Sequence, residues 1–351
     1  MADETLYQYA ASQMRLIIDQ MIALSESTGN FHMPTKTHWA DNDLAAILLC
    51  GKGCVIDAIP AGVGDRENAW LARSALAFGI ERAATGLLYQ RLEPFIDQLV
   101  AVAHLQTDQF KQVSAEWIYQ NPRFLPVLMH AMGTFSKRDL QKEIGTGTAS
   151  DSAISKPVSK KLAALFARLG GGSVAGETRI RERMKATTEG IVRDLVGRLL
   201  LEEFVAQALR KESVPFLREN EYPGIVGVVY DFRADFVVPG FEAPKAFIEV
   251  RKSSAGHASL YAKDKMFSAI NWKGRHRDCL GIMIVEGPWT QSTLEVMGRV
   301  FDYVIPIERS YEAAKKIKAW LDGDKSVLRW LIQFEINPAG SQLLAQHDPD
   351  A

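Results

Sequence analysis

Residues 233–252 read RADFVVPGFEAPKAFIEVRK: two short apolar runs flank a stretch with two prolines and a glycine, and charges crowd the outer ends of the runs. Side chains in a strand alternate faces with a period of two. One face therefore carries Phe236, Val238, Ile248 and Val250, and the other carries Asp235, Val237, Phe247, Glu249 and Arg251. A hairpin that sets Asp235 opposite Glu249 requires an odd-numbered loop or a bulge, and the stretch from Pro239 to Pro244 permits either. Two adjacent carboxylates are costly unless a cation neutralises them, and such oxygen ligands suit Mg2+ or Mn2+ rather than zinc. Arg251, two residues beyond the second carboxylate, can hold a phosphate or its attacking water against that ion. Lys252 points to the other face of a regular strand and comes round only through a bulge.

Asp235, thirteen residues, and then Glu249-Val250-Arg251 form an order that resembles the PD-(D/E)XK nuclease superfamily, in which many type II restriction endonucleases are found. The likeness covers roughly residues 195–307 and rests on the flanking pattern as well as on the motif. A helix in GRLLLEEFVAQALRKE precedes the strands, a second is expected in SSAGHASLYAKDKMFSAINWK, and the apolar run CLGIMIVEG reads as a buried strand. A helical stretch from Thr290 and a strand in FDYVIPI complete the αβββαβ core that the resemblance implies. Two positions depart from the family pattern: Ala234 stands where proline is usual, and Arg251 where lysine is usual. Arginine keeps its charge and presents a planar fork, so Arg251 can stabilise a phosphorane but cannot accept a proton. Lys252, or Lys263 or Lys265 on the following helix, is then the source of the missing ammonium.

The resemblance implies Mg2+-dependent hydrolysis of phosphodiester bonds in double-stranded DNA at a short specific sequence, with Mn2+ able to substitute. Asp235 and Glu249 would hold the metal with an acidic residue of the preceding helix, Glu203 or its neighbour Glu202, and Arg251 or Lys252 would serve the chemistry. A homodimer acting on a two-fold site, paired with a cognate DNA methyltransferase, is the setting that such an enzyme implies. A repair or transposition nuclease of the same fold, and a non-catalytic DNA-binding protein on a degenerate core, remain open.

The formal charge of −1 on 351 residues is no sign of nucleic-acid binding, but charge is unevenly spread. From Lys137 to Arg198 thirteen basic residues stand against seven acidic ones, and phosphate neutralisation depends on such local excess. Ser136 is placed to cap a helix from Lys137 to Ile144 that ends at Gly145, and a second helix is expected from Pro157 to Leu169. The pair resembles a helix-turn-helix, which would turn Ser155, Lys156, Ser159, Lys160 and Lys161 toward DNA. Lys137, Arg138, Arg179, Arg181, Arg183 and Lys265 are the other candidate DNA contacts. Gly170-Gly171-Gly172-Ser173 reads as a linker or loop, and lacks the Lys-Ser/Thr and preceding strand of a phosphate-binding loop.

The expected fold is α+β: an all-helical domain over 1–136, the basic helical segment over 137–194, the nuclease core over 195–337 and a mobile tail over 338–351. Within the first part, helices are expected in LYQYAASQMRLIIDQMIAL, from an Asp65 cap through ENAWLARSALAFGIERAATGLLYQRL, and over Pro94–His104, Asp108–Tyr119 and Phe124–Met132. Hydrophobic residues make up 47% of the chain, enough for a full core, and no run approaches a membrane span. The acidic, polar start shows no secretory pattern, and Cys50, Cys54 and Cys279 form neither a disulfide framework nor a zinc pattern. A cytoplasmic location follows as the expectation.

Overall fold

The computed structural model describes residues 4–145, 147–173, 175–253 and 258–329. It is a mixed α+β protein, mostly helical, with one five-stranded mixed sheet. Contacts divide the chain into two compact units, one of residues 1–21 and 33–200 and one of residues 22–32 and 201–351. Among the described residues no helix is long and apolar enough to cross a membrane.

The first unit is built from helices α1 (Leu6–Ser27), α2 (Lys36–Ala40), α3 (Asn42–Gly51), α4 (Val63–Leu71), α5 (Ile80–Gln106), α6 (Ala115–Gln120), α7 (Leu125–Met132), α8 (Lys137–Ile144), α9 (Lys156–Ser173) and α10 (Glu177–Leu195), the last part of α1 belonging to the second unit. The span expected as one helix from Asp65 is two. Gly62 takes the cap position of α4, and the chain leaves helical form after Leu71 because tertiary contacts compete for it. Phe78 packs so closely on Gly51 that a Cβ there would lie 2.1 Å from its ring, and Lys52 Nζ donates to the Leu76 carbonyl at 2.5 Å. Conversely α5 runs through Pro94 without ending, since Leu87, Leu88, Leu92, Phe95, Ile96 and Leu99 bury one continuous face on both sides of it. The helix expected from Asp108 begins only at Ala115, because Asp108, Gln109 and Phe110 adopt left-handed φ of 47°, 59° and 62° to bury the Phe110 ring.

The basic segment belongs to this first unit. Ser136 Oγ accepts from the Asp139 amide at 3.1 Å to cap α8, as its position suggests. Residues 145–155, pinched by an Ala149–Ile154 bridge, separate α8 from α9, and α9 packs chiefly on α6. That connection is too long and too structured for the tight turn of a helix-turn-helix. The Gly170–Ser173 stretch, expected as a linker, is the final turn of α9.

A π-helical turn, Val196–Leu200, leads into the second unit. Here α11 (Leu201–Lys211) is followed by β1 (Leu217–Arg218), β2 (Phe236–Val238), β3 (Ala246–Lys252), α12 (Ala258–Arg275), β4 (Leu280–Glu286), α13 (Gln291–Met297), β5 (Tyr303–Pro306) and α14 (Ser310–Leu321). The sheet follows chain order, β1 and β2 antiparallel to their successors, and β3, β4 and β5 parallel. Parallel neighbours need a crossover, and α12 and α13 supply the two. On one face Val237, Phe247, Met283 and Val285 pack with Trp272 of α12 and with Met297 and Phe301. Below them Lys273 Nζ is bonded to Asp302, both wholly buried, and Asp302 also accepts the amides of Gly281 and Arg329 at 2.7 Å. Lys325–Val327 is a 3-10 turn, and the 338–351 tail lies outside the described residues.

Candidate active site

β2 and β3 pair as Phe236↔Ile248, Val237↔Phe247 and Val238↔Ala246, leaving the seven residues 239–245 as the loop. Continued one residue outward, this register sets Asp235 opposite Glu249. Neither side chain is left to solvent: Asp235 is buried and Glu249 is 0% exposed. Asp235 Oδ2 accepts from the Val250 amide at 2.7 Å and from Arg251 Nη1 at 2.9 Å. Arg251 Nη2 lies 2.9 Å from Glu249 Oε2, so a single guanidinium bridges the pair. Lys265, reaching back from α12, places Nζ 3.2 Å from the Glu249 carboxylate. Burial, and then the charge of Asp235, push the Glu249 carboxyl up to about 8, against the opposing pull of Arg251 and Lys265.

The backbone before Asp235 is also held. Tyr222 Oη donates to the Ala234 carbonyl at 2.7 Å and accepts from the Ala234 amide at 2.7 Å. Buried polar atoms need such partners, and the pairing fixes the residue preceding the carboxylate. Nothing in the local sequence signals this, because Tyr222 stands twelve residues upstream.

The helix α11 separates its two adjacent acids. Glu203 is buried and bound by Arg218 and, at 2.7 Å, by Arg210. Burial alone would raise its carboxyl, but the two arginines outweigh burial and hold it below the usual range. Glu202 is exposed, and desolvation, followed by the negative charge of Asp235, raises its carboxyl. Glu203 is thus committed to two arginines, and Glu202 is the acid that senses Asp235.

The basic candidates sort by their contacts. Arg251 and Lys265 are on the carboxylates, whereas Lys252 is exposed and alternates to the other face, opposite Glu286 in the β4 register. Lys265, a candidate DNA contact by sequence, is buried against Glu249 instead of being displayed. In the first unit Arg138, Lys160 and Arg179 are exposed. Lys156 is exposed and lies 5.3 Å from the Tyr119 ring centroid. Lys161 donates to the Ile144 carbonyl at 2.5 Å, capping α8. Arg181 is paired with Asp97 and Glu177, and Arg183 donates to the His130 carbonyl beside the Phe135 ring. Ser159, expected to face DNA, is buried with its hydroxyl on the Lys156 carbonyl. The side chain of Lys137 lies outside the described residues.

Among the described residues no group of three or more His, Cys, Asp or Glu is gathered as a ready-made metal cage. A pair of carboxylates with an exposed third acid nearby suits a hard cation that keeps much of its water, as Mg2+ does, better than zinc. No family model, no curated protein and no solved structure matches the chain.

Proposed function

We propose that the second unit is a divalent-metal-dependent nuclease centre of the PD-(D/E)XK type, and that the chain is a sequence-specific endonuclease of double-stranded DNA resembling the type II restriction enzymes. The observation that carries this reading is the facing of Asp235 and Glu249 across β2 and β3 with Arg251 and Lys265 on their carboxylates. The element order α11, β1, β2, β3, α12, β4 supports it, since it runs as the αβββαβ core does.

The residues fit a metal: a carboxylate pushed toward protonation by burial and then by the charge of its neighbour is relieved by a cation. Asp235 and Glu249 would hold Mg2+, with Glu202 on its water shell. Bound there, Mg2+ supplies Lewis acidity and a more acidic water. Arg251 offers its permanent charge to a phosphoryl oxygen, stabilising the charge that accumulates as the phosphorus becomes five-coordinate. Lys265 keeps Glu249 oriented and donates to the attacking water. The Val250 amide holds the Asp235 carboxylate and the Tyr222 hydroxyl holds the backbone of Ala234 before it, so Asp235 is positioned in advance while the Arg251 fork exchanges its carboxylate contacts for the phosphoryl oxygen. Exposed Arg138, Lys160 and Arg179 are the phosphate contacts favoured in the first unit, and a two-fold homodimer with a partner methyltransferase is the setting this activity implies.

The test is plasmid cleavage with Mg2+ by the full chain and by Asp235→Ala. Discrete fragment ends from the wild type, abolished in the variant, support the reading. Tight DNA binding with intact plasmid would favour the non-catalytic alternative, and cutting that ignores sequence would favour a repair-type nuclease.

A further inference from the structure

The loop from Gly224 to Phe232 is held firmly yet displays apolar groups. Its ends are closed by the Ile225–Phe232 bridge, with N···O distances of 2.7 and 3.2 Å. Buried Asn271 of α12 grips its middle: Nδ2 donates to the Tyr230 carbonyl at 2.8 Å and Oδ1 accepts from the Val229 amide at 2.7 Å. Gly227 is pressed so close that a Cβ there would stand 1.9 Å from Asn271 Nδ2. Despite this anchoring, Val229 is 54% exposed and Phe232 38%, and Phe267 of α12 beside them is 52% exposed. Tyr230 joins the two aromatics, with ring centroids 5.7 Å from Phe232 and 5.8 Å from Phe267. Phe232 rests on the buried Trp272, ring centroids 6.2 Å apart, and Tyr230 is half-buried, so the three rings form a rigid aromatic surface seated on the core and open on its outer side.

Their position identifies the occupant. Lys265 Nζ lies 5.5 Å from the Phe232 ring centroid and 3.2 Å from Glu249, so one lysine joins the aromatic group to the carboxylate pair. Phe232 is also three residues ahead of Asp235 in the chain. Exposed Arg233 and Lys263 flank it and are balanced by the exposed acids Asp231 and Asp264, so what ties the rings to a nucleic-acid ligand is their continuity with the carboxylate pair through Lys265. Flat rings beside cations accept nucleobases, whose faces stack on aromatics regardless of sequence.

We propose that Phe232, backed by Tyr230 and Phe267, is a stacking ledge for a nucleobase turned out of the helix beside the scissile phosphate. This rests on the reading of the second unit as a nuclease centre and deepens it: at a given site in double-stranded DNA, a nucleotide at the cut that is unpaired or easily unstacked speeds cleavage, because extruding a base from the duplex costs free energy. The aromatics then favour the distorted strand directly, and Lys265 couples that base to the site of hydrolysis.

The experiment uses the full chain and duplexes carrying 2-aminopurine, either paired or in a one-nucleotide bulge, in Mg2+ or in EDTA. Wild type should quench the bulged fluorophore on binding and cut that duplex faster than the paired one. Phe232→Ala and Phe267→Ala should bind the bulged duplex about tenfold more weakly, while Phe232→Tyr retains quenching. Thermal unfolding of each variant checks that it is folded. Cutting by the wild type without quenching, or equal binding by both alanine variants, overturns the ledge and leaves the nuclease standing. Quenching without cutting removes the nuclease and keeps the ledge as a nucleic-acid-binding surface. Absence of both binding and cutting removes both. A wild-type dimer that dissociates in Phe232→Ala, with DNA binding unchanged, reassigns the patch to a second copy of the chain and overturns the ledge.

Discussion

Asp235 and Glu249 face each other across β2 and β3, and the two nitrogens of the Arg251 fork lie 2.9 Å from one oxygen of each. The guanidinium thus stands where two opposed carboxylates demand positive charge. Among the described residues, removing the guanidinium leaves Asp235 without a cation and Glu249 with Lys265 alone, and the consequences can be measured.

Arg251→Ala should therefore destabilise the metal-free protein. Removing one partner of a buried pair costs about 3–5 kcal/mol, and because the Arg251 side chain is 28% exposed the expected loss is about 1–3 kcal/mol. Mg2+ should recover more stability in the variant than in the wild type, since the ion meets carboxylates that have lost their shared guanidinium and keep Lys265 and the Val250 amide. Urea unfolding with and without Mg2+ reads both quantities. Equal Mg2+ stabilisation in the two proteins would place the cation elsewhere.

Glu249 makes stability depend on pH in an unusual direction. Its folded carboxyl sits at about 8 against an ordinary value of 4.5, so between these the native state retains a proton that the unfolded chain has released. The contribution is complete below 4.5 and is lost as pH rises through 8. In metal-free buffer the urea midpoint should fall from pH 5 to pH 8, and Glu249→Gln should flatten that slope. A midpoint that rises over this range in the wild type would contradict the burial argument.

The two acids of α11 should separate by readout. Glu202→Gln is expected to weaken Mg2+ binding several-fold with little change in stability, because Glu202 is exposed and couples to Asp235. Glu203→Gln is expected to lower stability and leave Mg2+ affinity nearly unchanged, because its partners are Arg210 and Arg218. Isothermal titration beside chemical unfolding distinguishes them, and the opposite pattern would return the metal role to Glu203.

Lys273 and Asp302 are buried together away from these carboxylates, so their role is structural. Lys273→Met should cost about 3–5 kcal/mol by leaving the Asp302 charge without its cation. Adding Asp302→Asn should recover part of that loss, since it removes the unpaired charge while its one carbonyl oxygen still accepts from one of the two amides, Gly281 or Arg329. A double variant no better than the single would show that the ion pair is not what the first substitution removed.

Much of the second unit was legible in its sequence. Alternation placed Asp235, Glu249 and Arg251 on one strand face, the odd loop matched their opposition, and the continuous apolar run from Leu280 became a buried parallel strand. The first unit was less legible at its helix ends. Helical periodicity continues across residues 72–79 and Asp108–Phe110, but packing of Phe78 on Gly51 and burial of Phe110 outcompeted local propensity there.

The sequence by itself determined which residues share a strand face, because the period of two is a local property of the backbone. Tertiary structure alone decided which charges meet. It gave Glu203 to Arg210 and Arg218, left Glu202 to sense Asp235, brought Lys265 across from α12 and pinned Ala234 through Tyr222. Those choices depend on where α11, α12 and the 219–234 segment pack on the sheet, and side-chain partners at such separations along the chain are set by packing rather than by spacing.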